Sequence, residues 1–366
     1  MPRARDLGIS IGTLAPGGLN AITDVAGVRV GHRTLVEGSE VRTGVTVVLP
    51  HEGDAWAEPV FAGAHRLNGN GELTGLAWIR ESGMLHSPIG LTNTHSVGLV
   101  RDALVAYEAS RRSGDFWSLP VVGETWDGVL NDVNGMHVKT EHVLAAIEAA
   151  SDGPVQEGNV GGGTGMLCHG FKGGIGTASR VVEEVGGYVV GVLVQANHGS
   201  REQLRVDGYP VGRVIATSEV PSAGAPDEAT GSIIGIVATD APLIPTQCRR
   251  LAQRAGLGVA RAGGLGENSS GDLFLCFALG NRGLPPNQRH DAAPLAVPLR
   301  MLANRWITPL FQAVVEATEE AILNALLAAE TMSGRGGATA HRLQPDTLLA
   351  ALALLGSAGT EGTRIV

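Results

Sequence analysis

A serine that directly follows a glycine, at the head of a long apolar run, is the most suggestive reactive group in this sequence. Residues 229–243 read ATGSIIGIVATDAPL, and Ser232 precedes the apolar residues 233–238. Glycine weakens strands and serine prefers caps and turns, so a Gly-Ser pair is an unusual opening for a buried strand. One arrangement that uses it is self-cleavage, in which the Ser232 hydroxyl attacks the Gly231 carbonyl. The alternative is a strand that simply follows a tight turn.

Cleavage before Ser232 would place a hydroxyl nucleophile and its own α-amine on one residue. An α-amine has an ordinary pKa of about 7.7–8.0, which suits a general base near neutral pH. The preceding residues 217–230 are rich in Pro, Ala, Ser and acidic residues and show no hydrophobic period. They predict an exposed loop that would let the new chain end move away.

A second polar cluster, ENSSGD at residues 267–272, leads into the apolar run 273–279. Residues two apart in an extended chain point to the same face, so Ser270 and Asp272 should lie side by side. A hydroxyl and a carboxyl so placed could relay a proton to the Ser232 amine or orient it. Polar residues at such a position are also common turn formers.

Asn197 lies in the segment VQANHG, directly after an apolar run that predicts a strand. Its side-chain amide is a candidate hydrogen-bond donor to an oxyanion, a role that can contribute about 2.7–4 kcal/mol of transition-state stabilisation. The alternative is an asparagine that only forms a turn next to Gly199.

Three other motifs predict no chemistry. GNVGGGTG at residues 158–165 lacks the spacing of a phosphate-binding loop, and its glycines instead favour the close approach of two backbones. Cys168 and His169 are adjacent, and adjacent residues of an extended chain point to opposite faces, so they do not predict a catalytic dyad. The histidines are scattered without an HExxH pattern, so no metal is expected.

Composition excludes several classes of protein. The chain has 366 residues, 43% of them hydrophobic but only 4% aromatic, so its core must be largely aliphatic. The net charge of −9 argues against nucleic-acid binding. Three widely spaced cysteines predict no disulfide framework. No apolar run reaches the roughly 18–20 residues that span a bilayer, and the first residues lack a signal-like apolar segment, so a soluble cytoplasmic protein is expected.

Hydrophobic periodicity predicts the elements that must position these residues. Apolar runs predict buried strands at residues 45–49, 188–194 and 273–279. Helical periodicity predicts helices at residues 102–112, 140–150, 245–261, 309–332 and 347–355.

Taken together, these segments resemble the L-aminopeptidase/D-esterase family, which includes the β-peptidyl aminopeptidases. The resemblance covers nearly the whole chain, through residues 21–32, 91–102, 121–132, 159–180, 231–243 and 268–281. Its most specific part is the Gly231-Ser232 junction followed by Ser270 and Asp272.

The resemblance implies an α+β fold, a four-layer αββα sandwich similar to that of N-terminal nucleophile hydrolases but with different strand connectivity. It also implies a precursor that cuts itself into an α chain, residues 1–231, and a β chain, residues 232–366, which together form one domain. The family suggests a homotetramer of such processed pairs. The reaction that the resemblance implies needs no metal or organic cofactor.

The same resemblance implies roles for individual residues. Ser232 would be the nucleophile, Ser270 and Asp272 would assist it, Asn197 would bind the oxyanion, and Glu124 would lie near the free amine of the substrate. Trp126 stands where the family usually has tyrosine. An indole N–H can donate a hydrogen bond but cannot accept one or ionise as a phenol does, so this departure bears on rate and substrate range.

The sequence therefore predicts an autoprocessed serine aminopeptidase that acts on short peptides, amides or esters through an acyl-enzyme. The ammonium group of the substrate would pair with Glu124, Asp272 or both. One alternative is an autoprocessed acyltransferase of the ornithine acetyltransferase type, although those enzymes use threonine at the cleavage point. Another is a non-catalytic metabolite-binding protein on the same scaffold, against which the intact set of polar residues argues. Preference for α-, β- or D-residues stays open.

Overall fold

Two large β-sheets and six α-helices form the framework of the described chain. The computed structural model describes residues 1–223, 231–286 and 294–361. The strands are β1 (Arg29–Glu37), β2 (Val41–Leu49), β3 (Val60–Arg66), β4 (Met84–Leu85), β5 (Ile89–Asn93), β6 (Val121–Thr125), β7 (Leu167–Cys168), β8 (Phe171–Lys172), β9 (Gly174–Val182), β10 (Tyr188–Asn197), β11 (Ser232–Thr239), β12 (Asp272–Ala278), β13 (Met332–Ser333) and β14 (Thr339–Ala340). The helices are α1 (Leu76–Ser82), α2 (Val97–Ser110), α3 (Thr140–Glu148), α4 (Pro245–Arg261), α5 (Thr308–Ala328) and α6 (Pro345–Glu361).

The smaller sheet has the strand order β1-β2-β5-β6, and the larger has the order β4-β3-β12-β11-β10-β9. In the larger sheet β11 pairs antiparallel with β10 and parallel with β12. A parallel pair needs a crossover connection, which α4 provides. β11 is therefore a central strand with a hydrogen-bonded neighbour on each side.

Three apolar cores separate the layers. The inner core lies between the two sheets and includes Ile89 and Leu91 from the smaller sheet and Ile234 and Ile236 from the larger one. Helices α2 and α3 cover the outer face of the smaller sheet, and α4 and α5 cover that of the larger sheet. The order of layers is helix, sheet, sheet, helix, which is the predicted αββα sandwich.

Most predicted elements are present with shifted ends. The predicted strands at residues 45–49 and 188–194 lie within β2 and β10, and β12 begins and ends one residue before the predicted 273–279. α4 spans the predicted residues 245–261, whereas α2 begins and ends earlier than predicted. α3 ends two residues early, and α6 extends beyond the predicted 347–355 at both ends.

The predicted C-terminal end of α5 is wrong. The helix ends at Ala328, and the chain is extended from Ala329 onwards, where ψ is 144°. No glycine or proline marks this end in the sequence. The extended chain is held instead by Asn159, whose side chain makes two hydrogen bonds with the backbone of Glu330. A contact with a residue so distant in sequence cannot be read from local periodicity.

The glycine-rich segment 158–165 passes between the two sheets. A Cβ atom at Gly162 would overlap the side-chain oxygen of Gln195 and lie 2.7 Å from the carbonyl oxygen of Leu91. These glycines thus allow two backbones to approach closely, as the sequence predicts. Within the described residues, no helix is long and apolar enough to cross a membrane.

Candidate active site

Three strand ends meet at one edge of the larger sheet. Ser232 is the first residue of β11, Asp272 is the first of β12, and Asn197 is the last of β10. Asn197 lies opposite Ser232 in the β10–β11 register, and Asp272 pairs with Ile233 in the β11–β12 register. The first residues of parallel strands share an edge, and the antiparallel β10 ends there. Strand register therefore brings together three residues that lie far apart in sequence.

The Ser232 side chain is almost fully buried, with 4% of its surface exposed. Its Oγ atom accepts a hydrogen bond from the backbone N–H of Gly271 at 3.0 Å. A donor in this position stabilises the negative charge that the Ser232 oxygen acquires as its hydroxyl proton leaves. Sequence analysis did not identify Gly271, because a backbone donor leaves no signature in residue type.

Ser270 and Asp272 lie side by side next to this donor. The Ser270 hydroxyl donates a hydrogen bond of 2.6 Å to Oδ1 of Asp272, as their spacing in an extended chain predicts. Burial raises the pKa of Asp272 to about 6, although the hydrogen bond from Ser270 acts to lower it. A carboxyl that titrates near this pH can exchange a proton with the serine hydroxyls under ordinary conditions.

Asn68 is a second residue that sequence analysis missed. Its Oδ1 accepts a hydrogen bond from the Asp272 backbone N–H at 2.7 Å, and its Nδ2 donates to the Glu267 carbonyl at 2.9 Å. These bonds hold both ends of the 267–272 loop against the residues that follow β3. The polar run Asn68-Gly69-Asn70-Gly71 is a visible turn signal, but only the fold shows which loop it contacts.

The Asn197 side chain is held at both ends. Its Oδ1 accepts from the Leu167 N–H at 2.7 Å, and its Nδ2 donates to the Trp126 carbonyl at 2.9 Å. These two bonds determine the orientation of the amide. The second N–H of Nδ2 is the group that could donate to a substrate oxygen.

Glu124 approaches the same edge from β6 of the smaller sheet. Its carboxylate is buried and accepts hydrogen bonds from the Thr94 hydroxyl and from the Glu72 N–H. Burial raises the pKa of Glu124, and these two bonds oppose the rise. A Cβ atom at Gly71 would lie 3.0 Å from Oε1 of Glu124 and 3.1 Å from Cα of Gly271. Gly71 therefore lies between the Glu124 carboxylate and Gly271, whose N–H contacts Ser232.

Trp126 lies at the rim of the site, with 37% of its surface exposed. Its indole packs edge-on against the ring of His95, with centroids 5.8 Å apart. The backbone of this segment is anchored below by Asp127, which is fully buried and accepts a hydrogen bond from Asn131. The Trp126 indole thus lies partly exposed on the ring of His95, in the strand end that carries Glu124 two residues earlier.

The residue before Ser232 packs tightly against the end of β10. A Cβ atom at Gly231 would overlap the carbonyl oxygen of Asn197 and lie 3.1 Å from Cα of His198. Only glycine fits this position. Residues 217–219 of the predicted loop are exposed, whereas Val220 is buried. The loop's residues 224–230 lie outside the described residues.

The layered fold, with a serine at the head of a central strand, defines a hydrolase with an N-terminal-nucleophile-like architecture. A family model described as peptidase family S58 matches residues 20–340. The chain belongs to this family.

Similar proteins agree with this assignment. The chain is 48% identical to the beta-peptidyl aminopeptidase BapA of Sphingosinicella microcystinivorans, over 96% of this chain and 92% of that protein. Its structure resembles that of a Burkholderia sp. beta-aminopeptidase, with a TM-score of 0.93, 56% identity and coverage of 97% and 99%.

It also resembles the L-aminopeptidase D-Ala-esterase/amidase of Ochrobactrum anthropi, with a TM-score of 0.89, 41% identity and coverage of 97% and 99%. That enzyme is described as a prototype for the serine aminopeptidases and a variant of the Ntn hydrolase fold. The protein is thus an aminopeptidase, and the alternative of a non-catalytic binding protein is wrong.

Proposed function

We propose that this protein is an autoprocessed serine aminopeptidase in which Ser232 is both the self-cleaving residue and the catalytic nucleophile. The observation that carries the proposal is the position of Ser232. It opens a buried central strand, its hydroxyl is hydrogen-bonded to a backbone N–H, and the Ser270–Asp272 pair lies beside it.

In the processing step, Oγ of Ser232 attacks the carbonyl carbon of Gly231. The Gly231–Ser232 C–N bond breaks, the Ser232 nitrogen takes up a proton, and an ester joins Gly231 to Oγ. Water then hydrolyses the ester and leaves a carboxylate on Gly231 and a free α-amine on Ser232. The Ser270–Asp272 pair would carry the proton, and a pKa of about 6 for Asp272 supports this role. The products are chains of residues 1–231 and 232–366.

In turnover, the new α-amine of Ser232 takes the proton from its own hydroxyl, which attacks the substrate carbonyl. The Gly271 N–H donates to Oγ in the free site, and the Asn197 amide donates to the oxyanion that forms on the substrate. The leaving amine takes the proton from the Ser232 amine. Water then hydrolyses the acyl-enzyme and restores the hydroxyl.

Exopeptidase specificity follows from Glu124. Its carboxylate, buried beside the Gly71–Gly271 contact, would bind the ammonium group of the substrate, with Asp272 as a second acidic group nearby. A substrate with a blocked amine would leave the Glu124 carboxylate buried without a positive charge opposite it, which is costly. The names of two relatives, beta-peptidyl aminopeptidase and beta-aminopeptidase, support peptides with an N-terminal β-amino acid as substrates. The active form would be a homotetramer of processed pairs.

Intact-mass analysis of the purified protein tests this proposal. Wild-type protein should give two chains that begin at Met1 and Ser232. Ser232→Ala should remain a single chain and show no turnover, because one hydroxyl performs both reactions. Ser113→Ala, which removes an exposed hydroxyl after helix α2, is the control and should be processed normally. An uncut wild-type protein that hydrolyses peptides, or normal cleavage of Ser232→Ala, would contradict the proposal.

A further inference from the structure

A cluster of three potential metal ligands lies in the interior directly behind Asn197. Cys168, His169 and His198 are all buried, and one ligand atom from each lies within 4.8 Å of those of the other two. Sequence analysis expected Cys168 and His169 to point apart, which assumes an extended chain. His169 instead has φ of 50° in the tight turn between β7 and β8, so that assumption fails.

The separation of the ligand atoms suits a metal ion. Sγ of Cys168 lies 3.8 Å from Nδ1 of His198. Metal bonds of about 2.3 Å to sulfur and about 2.0 Å to nitrogen, at a trigonal angle of about 120°, separate two such atoms by about 3.7 Å. The separation of this pair therefore matches that of two ligands on one ion, which would replace the hydrogen bond between them.

The third residue is poised as a ligand by its own hydrogen bond. Nδ1 of His169 bonds the carbonyl oxygen of Ser200 at 3.0 Å, and since a carbonyl only accepts, the ring proton is on Nδ1. Nε2 of His169 therefore carries a lone pair, and it is buried without a hydrogen-bond partner. Metal-bound histidines characteristically donate their other ring N–H to a carbonyl or carboxylate in this way. Buried polar atoms without partners are rare in native proteins and call for an explanation.

Charge selects the kind of ion. A thiolate and two neutral imidazoles carry one negative charge, so a monovalent ion makes the buried site neutral, whereas a divalent ion leaves a net positive charge there. A cation already lies beside the cluster, because Arg201 donates to the His169 carbonyl at 3.1 Å, whereas burial lowers the pKa of Lys172 in β8 to about 7. An uncompensated buried charge is costly. Thiolate ligands also favour soft ions such as Cu(I).

We propose that Cys168, His169 and His198 form a binding site for one Cu(I) ion with a thiolate and two imidazole ligands. The thiol of Cys168 releases its proton to solvent as the Cu–S bond forms, with no change in oxidation state. The ion would link the end of β7 to the residue that follows β10. The Leu167 N–H already donates a hydrogen bond to Asn197 between the same two segments. The site is separate from the proposed catalytic reaction and needs no step of it.

Anaerobic titration of the processed full-length protein with Cu(I), in competition with bicinchoninate, tests the site. We expect wild-type protein to bind copper with an absorption-edge spectrum that fits one sulfur and two nitrogen ligands. Cys168→Ala should lower the affinity at least tenfold and abolish that spectrum. Cys276→Ala is the matched control, because it removes another buried free thiol, which contacts Cys248 rather than this cluster.

His169→Asn provides a second variant should Cys168→Ala fail to fold, since asparagine tolerates a positive φ. It should also weaken binding at least tenfold. The proposal is overturned if wild-type protein cannot withdraw Cu(I) from the chelator, or if Cys168→Ala or His169→Asn binds Cu(I) as tightly as wild type. A spectrum that shows two sulfur ligands would also overturn it. Tighter binding of Zn(II) than of Cu(I) would overturn the charge argument. Metal binding is the readout, so the result is independent of the aminopeptidase mechanism.

Discussion

The two sheets contribute to the candidate site in different ways. The larger sheet supplies Ser232, Asn197 and Asp272 from the ends of three adjacent strands, where backbone register determines their positions. The smaller sheet supplies Glu124 and Trp126 from the end of β6, where side-chain bonds and packing across the interface hold them.

This difference separates two functions. On the proposed mechanism, a group that acts on the chain's own Gly231–Ser232 bond has to be in place in the precursor, and strand register would provide that placement. A group that recognises a substrate amine is needed only afterwards. Changes at the edge of the larger sheet should therefore affect processing and turnover, whereas changes in the smaller sheet should affect turnover alone.

Among variants that keep the Ser232 hydroxyl, Gly231→Ala should give the largest effect. The new Cβ atom would overlap the Asn197 carbonyl oxygen, so the junction would have to move away from Ser232. A shift of about 1 Å in a reacting group can cost about 100-fold in rate, so processing should slow at least that much. Denaturing gels over time measure it. Gly98→Ala is the control, because nothing lies within 4 Å of a Cβ atom there. Equal processing of the two variants would show that the junction does not pack as described.

Glu124→Gln should spare processing and reduce turnover. Hydrogen bonds to charged groups contribute about 1.5–3 kcal/mol, so kcat/KM for a substrate with a free amine should fall roughly 10–100-fold. An exposed glutamate on the outer helix α3 offers a control, and Glu141→Gln should change kcat/KM about twofold at most. Wild-type protein should not hydrolyse the N-acetylated form of the same p-nitroanilide. Comparable kcat/KM for free and acetylated substrates would rule out an exopeptidase anchored at Glu124.

Processing and turnover should differ in pH dependence. The raised pKa of Asp272 means that its carboxyl is protonated below about pH 6 and cannot then accept a proton, so processing should slow as pH falls through about 6. Turnover also needs the neutral Ser232 α-amine, which has an ordinary pKa of about 7.7–8.0. As the pH is lowered, the turnover rate should therefore begin to drop at a higher pH than the processing rate does. Rate profiles of freshly synthesised precursor and of mature enzyme measure both. Asp272→Asn should remove the drop in processing rate at acidic pH. Identical pH profiles for processing and turnover would contradict the use of two different bases, Asp272 and the Ser232 α-amine.

Trp126→Tyr should have the smallest effect, a few-fold rise in activity or a shift in substrate preference. A phenol at this rim position could supply an oxyanion hydrogen bond that indole cannot aim in the same way. Trp126→Phe separates the hydroxyl from the change in ring size. Both variants should be assayed with L-α-, β- and D-aminoacyl substrates. Uniform loss across the panel would show that Trp126 is a wall of the pocket and not a missing hydroxyl.

Local sequence was sufficient wherever the physical cause is local. The Ser270–Asp272 contact follows from the two-residue period of an extended chain, and α4 follows from its amphipathic pattern. Prediction from local sequence failed where a distant residue decides the conformation, as at the end of α5, where Asn159 holds the extended chain. It also failed at His169, where a left-handed turn replaces an extended residue.

The sequence by itself determined most of the helices and strands, through its apolar periods, and it indicated the family, and with it the αββα layers, through the resemblance carried by the motifs around Ser232. Only the tertiary structure showed that Asn68 holds the Asp272 backbone, that the Gly271 N–H reaches Ser232, and that Gly231 has no room for a side chain. Backbone donors and steric limits have no residue-type signature, because they depend on which strand ends the sheet brings to a common edge. The same reason applies to Cys168 and His198, which are 30 residues apart in sequence and meet only because β7 packs beside β10.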